Sequence, residues 1–226
     1  MKIAVRSLVT ALLATGLVQI SAAQMMGMGM RPPSLAGVFT PVVGSGASYE
    51  MLQKNGQKTS LDITIVDKES GGYWMEMSMQ MPEGNGSSRR PMGGTSYAKE
   101  LLLRQGDDLV IQRIIVQMPG RPPMDMSSMP HAIQSKESKA DIRANAQNLG
   151  TESITTPAGT FSCQHWRDPK NNDDYWISDK VSPWQLVKMT SADKNTVTLT
   201  KLITGAKSHI TGTPVSMQEM MKGMGQ

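Results

Sequence analysis

The chain has 226 residues, with 23 Lys and Arg against 19 Asp and Glu for a net charge of +4. Two of the basic residues, Lys2 and Arg6, stand in an amino-terminal leader, so the remainder is too balanced for a nucleic-acid binder and long enough for one domain with a sizeable core. A single Cys, Cys163, excludes an intramolecular disulfide, and 20 Met against two Phe make the thioether the side chain to be explained.

Residues 1–23 read as a secretory signal. A positive start precedes a short apolar stretch (residues 7–20), and Ser21, Ala22 and Ala23 offer a cleavage point. The apolar stretch is too short for a membrane span, and no later segment approaches that length. No Cys at the cleavage point could carry a lipid anchor. The expected location is the periplasm or the medium. Residues 24–45 form an irregular segment rich in Met, Gly and Pro, including Met25, Met26, Met28 and Met30.

A β domain is expected over residues 46–205. Leu61, Ile63 and Ile65 alternate with Asp62 and Thr64, and Gly71-Gly72 makes a turn. Tyr73, Met75, Met77, Met79 and Met81 then share one strand face, with Trp74, Glu76, Ser78 and Gln80 on the other. A polar loop over 82–96 leads to a hairpin of residues 100–104 and 108–118, in which Val110, Ile114, Val116 and Met118 share a face. Pro119, Pro122 and Pro123 cannot lie in a central strand. Residues 119–148 are therefore read as an insertion and candidate lid, with a helix around 140–147. Strands resume over 150–156, 160–166, 174–178, 184–190 and 195–204. Strands at this short spacing suggest an antiparallel sheet, sandwich or barrel.

The tail, residues 206–226, has another period. Ser216-x-x-Glu219 fits a helix capping box. Met217, Met220, Met221 and Met224 fall on one helical side. So short a helix needs a surface to dock on: its own sheet, as part of the lid, or a partner or membrane surface.

The second half carries a more particular order. Ile154-Thr155-Thr156-Pro157-Ala158-Gly159-Thr160-Phe161 leads into Cys163-Gln164-His165-Trp166. Asp174-Tyr175-Trp176-Ile177-Ser178-Asp179-Lys180-Val181-Ser182-Pro183 follows, then Leu186-Val187-Lys188-Met189. This order resembles exported bacterial proteins with a lipoprotein-carrier-like (LolA/LppX-like) β fold, most clearly over residues 150–190. The resemblance implies a curved antiparallel sheet, a half-barrel, with helical or irregular segments covering its concave face. Carriers of that type hold acyl chains or other apolar ligands.

No metalloprotease helix, phosphate-binding Gly loop or nucleophile elbow is present, so no enzymatic activity is expected. His131, His165 and His209 are far apart in sequence. The expected function is binding or carrying an apolar ligand, or an envelope partner, on a face lined by Met75, Met77, Met79, Met81, Val110, Ile114 and Val116. Met217, Met220 and Met221 would serve as lid or partner contact. No cofactor is expected. The alternative is a copper-binding protein, in which Met124, Met126, Met129 and His131 surround Cu(I) on a flexible loop, soft ligands for a soft ion. A structural envelope protein without a small ligand is a third reading.

Overall fold

Period-two alternation gives most of the chain to strands that each bury one face. The computed structural model describes residues 38–81, 94–127 and 138–216, without the side chains of Met81, Ser138, Lys139 and Ile142. The first meander comprises β1 (Ser45–Leu52), β2 (Lys58–Glu69), β3 (Gly72–Met81), β4 (Gly94–Gln105) and β5 (Asp108–Gln117). Two short strands follow, β6 (Met124–Asp125) and β7 (Ser138–Lys139). The second meander comprises β8 (Gln147–Thr156), β9 (Gly159–Asp168), β10 (Asp173–Ile177), β11 (Leu186–Thr190) and β12 (Thr196–Thr204), and β13 (Val215–Ser216) comes last.

All belong to one 13-stranded sheet in the order β13-β6-β5-β4-β3-β2-β1-β12-β11-β10-β9-β8, with β7 on β5. Pairing is antiparallel throughout except between β13 and β6. The two meanders are joined along β1 and β12, from Ser45 opposite Thr204 to Leu52 opposite Thr196. The sheet is an open, strongly curved half-barrel, and there is almost no helix among the described residues. Between β2 and β3, Ser70 (φ 49°) and Gly71 (φ 81°) both take positive φ, the backbone that a tight two-residue hairpin requires.

The main core spreads over the first face. Ala47, Tyr49, Ile63, Ile65, Met189, Val197 and Leu199 are buried there. The Tyr49 hydroxyl donates to the Leu186 carbonyl at 3.1 Å, reaching from β1 to β11 past the intervening β12. The start of the described chain is tied into the same cluster. Phe39 packs on Trp184 with ring centroids 4.9 Å apart, its N–H donates to the Ala140 carbonyl at 2.7 Å, and its carbonyl accepts from Arg104 Nη2 at 2.9 Å.

The opposite face is mostly polar, but Trp74, Leu101 and Ile115 form a second apolar patch there. After β12 the chain runs across this face as a strap, and Ile210 caps the patch. The strap ends as β13, beside β6.

The insertion differs from its sequence-based reading. Its described parts run as the short strands β6 and β7 on β5. The helix expected around 140–147 is a 3₁₀ turn, Ile142–Asn145, with Asp141 capping it through Arg143 N–H at 2.9 Å. Ser216, expected to cap a helix, is the last residue of β13. The leader, Met129, His131, Met217, Met220, Met221 and Met224 lie outside the described residues.

Candidate ligand-binding face

Register assembles the methionine face in rows across the strands. Ile65, Met75, Glu100 and Ile114 stand side by side on β2, β3, β4 and β5. The next row holds Ile63, Met77, Ala98, Val116 and Met124. Leu61, Met79 and Ser96 make the third. Met75, Met79, Ile114 and Val116 are buried, and Met77 is half-buried. Met126 lies against Ala98, Ile114 and Val116. The expected alternation of Met75, Met77 and Met79 is therefore in place. Met81 ends β3, and its side chain lies outside the description.

Val110 is a correction. It pairs with Leu103, on the side of Trp74 and Ile115. The ladder shifts between Leu101 and Leu102, which pair with Arg113 and Ile111. Gln112 is the extra residue, and one extra residue exchanges the faces of everything beyond it. Ile111 thus joins the methionine face in place of Val110.

Met124 and Met126 also depart from their expected setting. Met124 lies in a ladder opposite Val116, and Met126 packs in an apolar cluster, so neither rides on a free loop. Asp125 between them is held by Arg113 at 2.8 Å. Among the described residues no group of three His, Cys, Asp or Glu side chains could hold a metal.

Sequence reasoning missed Glu100. It is 6% exposed, and its carboxyl makes no hydrogen bond or ion pair among the described residues. Its cross-strand neighbours are Met75 and Ile114. Burial pushes the carboxyl up from 4.5 to about 7. A buried polar group is normally partnered, and an isolated carboxyl in apolar surroundings marks a candidate site. The signal in the sequence was slight: a charged residue between Ala98 and Leu102 at the period of the buried face.

Across the sheet, Glu76 is buried at 2% exposure. Its Oε1 accepts from the His209 backbone N–H at 2.9 Å and lies 2.8 Å from His209 Nδ1. Its Oε2 accepts from Ser208 Oγ at 2.6 Å. His209 stacks on Tyr97 with centroids 4.9 Å apart. Serine, histidine and carboxylate meet here, but the first two both bind the third and not one another. Ser208 has no imidazole base among the described residues, so the arrangement anchors the strap and lacks the geometry of an activated nucleophile.

The same face carries a charged cluster on the second meander. His165 lies 2.9 Å from Glu152 and 2.8 Å from Asp174, and Asp174 also accepts from Arg167 at 2.9 Å. Trp176 stacks on His165 at 4.4 Å and lies under the Lys188 ammonium at 5.1 Å. The cluster is satisfied internally and staples β8, β9, β10 and β11.

No family model matches the chain, and no curated protein matches it. Solved structures do. The MucA/MucB complex of Pseudomonas aeruginosa is similar with a TM-score of 0.42 at 7% identity over 73% of this chain. This chain spans about half, 52%, of that chain. A structure described as an inferred lipoprotein of Parabacteroides distasonis ATCC 8503 is similar with a TM-score of 0.34 at 16% identity, covering 74% of this chain and 99% of that one. An inferred exported protein with a YmcC-like fold from Bacteroides fragilis NCTC 9343 gives 0.32 at 13% identity, over 74% of this chain and 99% of that one.

Proposed function

We propose that this chain is a non-enzymatic binding protein of the bacterial envelope. Its methionine face takes an apolar chain, free or attached to an envelope partner, and Glu100 meets the polar end of that chain. The observation that carries the reading is the buried carboxyl of Glu100, without a partner among the described residues, in the same row as Met75 and Ile114. Apolar packing needs no carboxyl, and a bare one costs several kcal/mol of desolvation. A ligand with one polar group and an apolar body offsets that cost. Methionine suits the rest of such a site because its unbranched side chain adapts to the shape beside it. The signal-like stretch over residues 1–23 supports export across the inner membrane. Among the described residues no helix is long and apolar enough to cross a membrane.

Native mass spectrometry of protein purified gently from the periplasm is the test, with titration of a fluorescent fatty acid as its companion. A lipid-sized adduct is expected, and Met77→Arg should weaken the fatty acid by about tenfold or more. Absence of an adduct together with absence of saturable probe binding overturns the reading.

A further inference from the structure

The Glu76 anchor holds the strap at one point and leaves a groove beside it. Between the strap, β12 and the polar face of β1, β2 and β3 lies a cavity of about 450 Å³. Its sheet wall carries the hydroxyls of Ser48, Thr64 and Ser78 and the carboxylate of Asp62. Lys201, on β12, stands next to Ser48 in the same cross-strand row, and Lys207 lines the groove from the strap. The size lies within the range of small-ligand sites.

The charges decide what fits. Glu76 is occupied by Ser208 and His209. The side chains of Asp62, Lys201 and Lys207 make no hydrogen bond or ion pair among the described residues, although they line one groove. The groove thus holds a carboxylate at Asp62, a lysine beyond Ser48 in the same row at Lys201, and a second lysine on the strap at Lys207, with the Ser48 and Ser78 hydroxyls on either side of Asp62.

We propose that this groove binds a small zwitterion, a free amino acid or short peptide. Its ammonium pairs with Asp62, its carboxylate with Lys201 and Lys207, and, in a peptide, its amide groups with the hydroxyls of Ser48 and Ser78. A plain anion leaves Asp62 unanswered, and a neutral sugar leaves all three charges so. The site is on the face opposite the methionines and stands whether or not they bind a ligand.

The experiment titrates the mature chain by calorimetry with dialanine, N-acetyl-dialanine, dialanine amide and a chitin oligosaccharide. Dialanine should bind, and each capped form should bind about tenfold more weakly or worse, since each loses a charge-assisted contact. Asp62→Asn should abolish the preference for the free amine. The pair Lys201→Gln and Lys207→Gln should abolish the preference for the free carboxylate. Asp62 is only half-buried and both lysines are exposed, so the variants should fold, which an unchanged melting curve checks. No saturable binding of dialanine at about 10 mM, equal affinity for the capped forms, or binding of the sugar alone overturns the proposal.

Discussion

Glu100 and Met75 stand directly opposite one another on β4 and β3, both on the methionine face. Burial holds the carboxyl at about 7 rather than 4.5. Between those values the folded protein keeps a proton that the unfolded chain has released. Stability must then fall as pH rises through that window, by about 3 kcal/mol in total, and level off above it. Glu100→Gln is neutral at every pH. Urea unfolding at pH 5 and pH 8 should show the difference between the two proteins growing toward pH 8, with the variant the more stable. Parallel pH profiles would mean that the carboxyl is not buried bare.

The strap depends on Glu76. Glu76→Gln puts an amide donor where His209 and Ser208 present donors, and should cost about 1–3 kcal/mol of local stability. Hydrogen exchange should report it as faster exchange of the His209 and Ile210 amides, with the amides of β11 and β12 unchanged. If the strap amides keep their wild-type protection, the carboxylate is not the anchor.

Gly46 is needed for space rather than for an unusual backbone. A Cβ there would run into the Ile63 carbonyl oxygen and the Cα and methyl of Thr64. The carbonyl oxygen and the Cα are backbone atoms of the adjacent strand and cannot swing aside. Gly46→Ala should destabilise by about 1–3 kcal/mol, read as a lower thermal midpoint. Gly56, with open space around it, has no such steric conflict.

Cys163 is fully buried. Burial, and then the charge of Glu152, pushes its thiol up to about 11. At pH 8 a thiol reagent should label it about a hundredfold more slowly in the native protein than in denaturant. Comparable labelling rates would show that β8 opens freely.

What could be read in advance follows the physics of each element. Met75, Met77 and Met79 were legible because nothing interrupts their strand's alternation. Val110 was not, since the bulge at Gln112 reverses the phase and only the partner strand reveals it. Glu76 occupies a slot that reads as solvent-facing, and it is buried because a distant segment without periodicity crosses over it. Met124 was read as loop beside Pro122 and Pro123, yet two ladder pairs suffice to set it in β6. Glu100 could be placed on the buried face only once its partners Met75 and Ile114 were known.

The joining of the meanders along β1 and β12 has a kinetic consequence. β1 is made near the start of the domain and β12 near its end, so the closing contact is among the longest in sequence, and such contacts form late. Until β12 emerges, one edge of β1 stands open as a template for foreign strands. During synthesis that edge is exposed while most of the chain is still to be made. A variant that slows pairing of Tyr49 with Leu199 would therefore reveal itself first as lost yield, before any change in the stability of the protein that does fold.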